Sequence, residues 1–391
     1  MQEDFHYYAT YCAAFLAGYD HRECLDICYS AQFVDLCSKT LLAKLKAPQA
    51  AATTQLQLEM MDARTDILGL QDITRIWASF HFLPRDLYAS KPRRTRLYMQ
   101  KFRLICGPDG ELVRDTVELA RNRSLQSVGI AMHVLADTWA HANFAGTPSL
   151  VINNTTDDFF EILPDECTSA DPKEATTWED SCIKNEREIK FRHNPSAPDD
   201  PENGIYTNSL YQENENSIMN LGHGRAGHLP DYSFIKYRYL PAWNDYRVTI
   251  KDNPSDYYNA FCQMIYAMKY LRGSVGSFET GIYDTEAVAG YESRIREIIR
   301  ARRLIASDDW KALGEELSGQ KIEAFDINRY QAEYTDASIA ERKNTFIGRF
   351  TDAALAQKSM VSDHILRSGN ILAGFAVNPL RSRKFRRIKN D

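Results

Sequence analysis

The chain has 391 residues, 44% of them hydrophobic, enough to bury a large core. No apolar run approaches the ~20 residues that span a bilayer. The start, MQEDFHYYATYCAAFLAGYDH, lacks the positive region of a signal peptide, which points to a cytoplasmic protein. Eight cysteines are too sparse for a disulfide framework and read as reduced thiols, and the net charge of −6 is ordinary in size but unevenly spread.

Apolar residues recur at three- and four-residue intervals along most of the chain. Helices are expected over Phe5–Gly18, Arg22–Lys46, Asp66–Phe82 and Arg114–Ala145, the last stopped by Gly146 and Pro148. Residues 147–217 change character: 16 Asp or Glu stand between Asp157 and Glu215 against five Lys or Arg, among Pro164, Pro172, Pro195, Pro198 and Pro201. A structureless loop of that length is unusual, so an ordered but irregular excursion or lid is expected there. Helical text returns at Asp256–Arg272, Thr285–Leu304 and Ile339–Ile371, and the stretch Arg381–Lys389 carries six basic residues. Strand text is scarce and no repeat is apparent. The expected class is all-α, with a metal-binding helical core over 1–275 and a helical C-terminal extension over 276–391.

His133, Asp137 and His141 are spaced by four on the apolar text VGIAMHVLADTWAHANFAG. Steps of four keep all three within an arc of about 80° on one helix face. Buried imidazoles and a carboxylate need partners. A divalent metal suits them, and mutual hydrogen bonds are the alternative. Other candidates are His6 in Asp4-Phe5-His6, Asp35 on the second helix, and His81 in Trp77-Ala-Ser-Phe-His81. His223, His228 and Asp231 frame a glycine-rich turn with Arg225 between the histidines. Taken singly, His6 could cap backbone, Asp35 could be a solvated helix residue and His81 a core histidine. His21, His193 and His364 stand in unpatterned polar text.

In chain order this set resembles the superfamily of zinc-dependent phospholipase C and the single-strand-specific zinc nucleases. The start DFHYYATYCAAFLAGYDHRECLDICYSAQFVD also looks like bacterial proteins grouped as a family of unknown function. The resemblance covers residues 1 to about 272 and implies a trinuclear zinc site. It assigns Asp35, His81, His133 and Asp137 to one metal position. His141, a late histidine and Asp231 form a second, and His6 with a bridging Asp137 a third. The secreted enzymes use a processed N-terminal amine as a further ligand. Here Asp4 is the substitute, or the third metal is missing. The step from Asp137 to His141 is shorter than the family's, and so is His228-Leu-Pro-Asp231; His228 is the first choice of late histidine and His223 the competitor.

Such a cluster implies hydrolysis of a phosphoric ester by activated water, with no covalent enzyme intermediate. Asp35 would act as acid and base and Arg225 would contact substrate phosphate. Nitrogen and oxygen donors fit Zn²⁺, Mn²⁺ or Fe equally well by ligand type, and the resemblance puts Zn²⁺ first. The basic run Arg85, Lys91, Arg93, Arg94, Arg96, Lys101 and Arg103, with Tyr88 and Tyr98, suits a nucleotide or single-stranded nucleic acid, or else a solvated face. No Gly-rich phosphate loop, Gly-x-Ser-x-Gly elbow or His-Asp doublet is present. The competing function is a non-catalytic interaction protein that keeps a structural metal in the same core.

Overall fold

The computed structural model describes residues 1–56, 58–60, 67–156, 158–163, 185–192, 200, 205–206 and 221–374. Most of the acidic excursion, His193 and the basic stretch Arg381–Lys389 lie outside the described residues.

A π-helical turn, Asp4–Ala9, runs into α1, Thr10–Leu16. Asp20 then starts α2, His21–Phe33, by a capping box with Glu23. The helix expected over Arg22–Lys46 is two helices, because the chain turns after Phe33 and Ser38 caps a fresh start at α3, Lys39–Lys44. Next come α4, Ile67–Phe80, α5, Arg96–Phe102, and α6, Glu111–Ala120. The stretch expected as one helix to Ala145 is likewise divided. Arg121 is extended, Asn122 has φ +57°, and Ser124 caps α7, Leu125–Ala140. Every residue of α7 from Gln126 to Ala140 is buried, as befits a helix apolar all round. It runs through the centre, contacted by α2, α4 and α6. Its closest approach is to α2, where Gly129 has no room for a Cβ: one built there would lie 2.4 Å from Ile27 O.

The expectation of an all-α chain is overturned by a four-stranded antiparallel sheet. After α8, Leu150–Asn153, come β1, Phe160–Ile162, β2, Glu186–Glu188, the short parallel pair β3, Phe191–Arg192, and β4, Ile205–Tyr206. Following α9, His223–Ala226, are β5, Lys236–Tyr239, and β6, Thr249–Asp252; the sheet order is β2-β1-β5-β6. Charged residues hide these strands from a hydropathy reading. Arg238 is buried on β5 because its guanidinium pairs with Glu186 of β2. Tyr237 and Tyr239, with Phe82, Phe144 and Phe159, build a second small core at the sheet.

The chain continues with α10, Asn253–Leu271, α11, Glu292–Arg300, α12, Ser307–Ser318, α13, Ile327–Asp336, and α14, Phe346–Ser368. The main hydrophobic core runs from Met1 to Ala373, and α14 lies against α4, α6 and α7 within it. Among the described residues no helix is long and apolar enough to cross a membrane.

Candidate metal centre

Helix ends deliver much of the cluster. Asp35 sits in the turn just after α2, rather than on the helix as expected; His81 directly follows α4, and His141 directly follows α7. The C-terminal end of a helix carries partial negative charge, so three such ends favour cations between them. His133 and Asp137 project from the last turns of α7, and His6 comes from the opening π-helical turn. His223 and Asp231 arrive from the opposite side on the glycine-rich segment. Gly222 and Gly227 have φ of +53° and +59°, conformations that let the chain fold back on itself. Asn253, at the start of α10, fixes this segment by donating from Nδ2 to Leu229 O at 2.8 Å and Tyr232 O at 2.7 Å.

Asp137 is the hub. Its Oδ1 lies 2.8 Å from the Met1 nitrogen and 3.1 Å from His6 Nε2. Its Oδ2 lies 3.2 Å from both His81 Nδ1 and His133 Nε2, and 3.5 Å from His141 Nδ1. Asp35 Oδ1 stands 3.9 Å from His81 Nδ1 and from His133 Nε2. On the other flank Asp231 holds His141 Nε2 at 3.3 Å, His223 Nε2 at 3.4 Å and the Met1 nitrogen at 3.2 Å. Three groups of donors are compact enough to hold an ion: His6, His133 and Asp137; Asp35, His81 and His133; His141, His223 and Asp231.

The outer ring nitrogens decide what the inner ones offer. His81 Nε2 donates to Thr53 O at 3.0 Å, His133 Nδ1 to Ala31 O at 2.9 Å, and His141 Nδ1 to His81 O at 2.7 Å. A neutral imidazole that donates outward turns a bare lone pair inward. His81 Nδ1 and His133 Nε2 then face each other at 3.3 Å and share the same carboxylate oxygen. His6 is fully buried, stacks on His133 at 3.8 Å, and neither of its ring nitrogens has a hydrogen-bond partner; its approach to Asp137 is close but misaligned.

Burial drives the imidazoles of His6, His133 and His141 down to about 4, so they are neutral at pH 7. Burial alone would raise the two inner carboxyls. For Asp137 the ring of His141 and the Met1 amine hold it well below the usual range instead, and for Asp231 the amine and His223 do so. Burial also opposes charge on the Met1 amine, yet Asp137, Asp231 and Asp35 raise it to about 11. His81 differs: burial lowers it, but Asp137 and Asp35 outweigh that and raise it above its ordinary value. The inward lone pairs of His133 and His141 packed against carboxylates, with His6 lacking any hydrogen bond, are a poor arrangement alone and a good one around divalent cations. The donors are imidazole and carboxylate throughout; among the described residues no cysteine joins a group.

Several expected residues stand elsewhere. Asp4 does not replace the amine. Its carboxylate turns away, accepting from Phe5 N at 2.8 Å and Ala306 N at 3.0 Å, while the Met1 nitrogen itself reaches the cluster. His223 rather than His228 stands beside His141 and Asp231, while the His228 ring lies 3.4 Å from the Tyr232 hydroxyl. Arg225 rides on α9 between His223 and Asp231. In the basic run, Lys101 donates to Ala242 O and Asp245, Arg103 donates to Ala89 O, and Tyr98 is buried on Phe102. Those three are engaged within the fold.

The sequence reading missed the Met1 nitrogen and the carbonyls of Ala31, Thr53 and His81, backbone groups that no side-chain pattern announces. Water reaches the cluster at Asp35 and His223, which are 32% and 22% exposed, whereas Asp137 is 1% exposed. A cavity of about 760 Å³, walled by Phe102, Cys106 and Trp243, lies behind the turn at Asn143 and touches none of the cluster side chains.

No curated protein and no solved structure matches the chain. The family comparison does find a match, over residues 1–365, a span that holds the whole cluster and most of α14. The chain belongs to a family of unknown function, DUF6765.

Proposed function

We propose that the chain is a metal-dependent phosphoric ester hydrolase, related in its site to the zinc-dependent phospholipase C and single-strand-specific zinc nuclease superfamily. One observation carries the reading. A single buried carboxylate, Asp137, is faced by four imidazoles, and backbone carbonyls fix three of these rings, so that His81 Nδ1 and His133 Nε2 point at Asp137 and His141 Nε2 points at Asp231. Asp35, His81, His133 and Asp137 would hold one divalent ion, His141, His223 and Asp231 a second, and His6 with Asp137 a third. Zn²⁺ is the first choice, with Mn²⁺ or Fe as alternatives. Bound there, such ions polarise phosphoryl oxygens and bring the pKa of water towards neutrality.

The chain's own residues supply the remainder. Asp35 is the acid–base residue: it is a third exposed, and crowding on its other sides pushes its carboxyl above the usual value. Arg225, carried between His223 and Asp231, would meet a substrate phosphate oxygen. Phe82 stacks on His141 at 4.8 Å and walls that flank with apolar surface, which strengthens electrostatics inside. The substrate class is a phosphodiester or phosphomonoester, with nucleotides or single-stranded nucleic acid favoured by a cytoplasmic setting. That setting is supported by six described cysteines buried as free thiols.

Metal analysis of protein purified without chelator tests the reading. We expect two or three transition-metal ions per chain. Turnover should appear on bis-p-nitrophenyl phosphate, p-nitrophenyl phosphate, oligonucleotides, cyclic dinucleotides or phospholipids. Less than one ion per chain, with no recovery on adding Zn²⁺ or Mn²⁺, would sink the proposal. Bound metal without turnover on any of these would favour an interaction protein with a structural metal.

A further inference from the structure

We infer that α14, through Gln357 and Lys358, sets the orientation of His81 and so tunes the donor group of Asp35, His81 and His133; the inference rests on the metal-centre reading above. His81 is held from two directions. From outside, its Nε2 donates to Thr53 O. From behind, it hangs on the end of α4, two residues beyond Ser79. Both supports are gripped by neighbouring residues of α14.

Lys358 Nζ donates to Ala50 O at 2.7 Å and to Ala52 O at 2.5 Å, the carbonyls leading into Thr53. The same segment is tied to the turn bearing Asp35, since Thr53 Oγ1 donates to Val34 O at 2.6 Å and Thr53 N to Cys37 O at 2.9 Å. Gln357 Nε2 donates to Ser79 O at 3.1 Å and to Thr116 Oγ1 at 3.0 Å, fastening the end of α4 to α6. One turn of α14 therefore clamps the acceptor of His81 and the helix end that carries it.

The choice of residue supports a positioning role. Lys358 is 9% exposed, and among the described residues no carboxylate lies within ion-pairing distance of its ammonium. Burying a cation against two carbonyls, with only the Phe80 ring at 5.9 Å besides, is expensive, and an apolar side chain would fill the same space without that cost. What the ammonium adds is a two-point hold on the 50–53 backbone. Outer-shell partners of metal-binding histidines typically contribute 10–100-fold in metal affinity, by fixing tautomer and ring direction.

The test compares wild type with Lys358→Met, Lys358→Arg and Gln357→Met, using Zn²⁺ titration against a chelator and the ¹⁵N shifts of the histidine rings. His81→Ala serves as the reference that deletes the affected donor group. We expect Lys358→Met to weaken the step lost in His81→Ala by about 10-fold, leaving the remaining steps unchanged. Its His81 ring ¹⁵N signals should move from their wild-type positions as the hold of Thr53 O on Nε2 loosens. Lys358→Arg, which keeps the donors, should recover most of the loss. Should Lys358→Met fail to fold, Gln357→Met carries the same expectation. Unchanged His81 signals with only a lower melting temperature, or equal weakening of all steps, would overturn the inference. Absence of metal from wild type would instead strike the metal-centre reading, while the ring shifts would still judge the clamp.

Discussion

Gly129→Ala tests how the packing of two helices reaches the site. In most helices this substitution stabilises by about 1 kcal/mol, through better helix propensity. Here a Cβ would sit 2.4 Å from Ile27 O and 2.5 Å from Ser30 Cβ, where ordinary contact begins at 3.4 Å. Helices α2 and α7 would have to part by about 1 Å at that point. Overpacking of this kind costs ~1–3 kcal/mol. The same displacement would stretch the bond from His133 Nδ1 to Ala31 O from 2.9 Å to beyond hydrogen-bonding range, losing a further ~1 kcal/mol. The net expectation is destabilisation by ~1–3 kcal/mol, with Zn²⁺ affinity at the His133 groups reduced ~10–100-fold. Urea unfolding of the metal-free protein reads the first quantity and chelator competition the second. A variant about 1 kcal/mol more stable than wild type, with unchanged metal affinity, would refute both the tight contact and its link to His133.

Four other substitutions or conditions make separate claims. Asp137→Asn keeps shape but offers one acceptor where two oxygens serve opposite sides; metal affinity should fall by at least ~100-fold, or ~2.8 kcal/mol, with far-UV circular dichroism unchanged, and full activity would remove Asp137 from the site. His223→Ala should release metal from the Asp231 group while His228→Ala retains it; the reverse result would return the ligand role to His228. Asp4→Ala strands the buried Ala306 N–H and should cost ~1–3 kcal/mol in urea unfolding with metal stoichiometry intact, so loss of a metal would make Asp4 a ligand after all. Burial lowers Lys358 to about 8 from an ordinary 10.5, so between those values the unfolded chain binds the extra proton and stability rises with pH, by on the order of 3 kcal/mol in full. Lys358→Met should lack that rise, and parallel stability profiles from pH 8 to 10.5 would contradict it.

The cluster was legible wherever helical spacing or order in the chain carries it. His133, Asp137 and His141 announce themselves by steps of four, and the structure brings His6, Asp35, His81 and Asp231 to the same place. Legibility fails where backbone does the work. The Met1 nitrogen has no side-chain signature, and Asp4, the carboxylate expected in its place, faces the other way to hold Ala306. The choice between His223 and His228 turns on the backbone reversals at Gly222 and Gly227, which spacing cannot weigh. The sheet escaped because Lys236-Tyr-Arg-Tyr239 and Thr249-Ile-Lys-Asp252 are four-residue strands whose inward charges are paired: Arg238 with Glu186, and Lys251 with Asp256. The break between α6 and α7 was visible in principle, since Asn122 and Ser124, a left-handed residue and a helix cap, stand in the polar run Arg121-Asn-Arg-Ser124 between two apolar-periodic stretches.

The grip of α14 on the 50–53 segment also imposes a timetable on synthesis. The last donor side chain to leave the ribosome is Asp231, but the clamp on His81 waits for Lys358. At ~5–20 residues per second, the nascent chain spends roughly 6–25 s with every donor made and one of them unsupported. During that interval the imidazoles and carboxylates are open to whichever cation binds unfolded donors most tightly. If the cluster takes metal as proposed, selectivity in the cell would be partly a matter of order of events: closure of the last described long helix would fix the ring of His81, and ions acquired before that moment would face a site whose geometry has yet to be set.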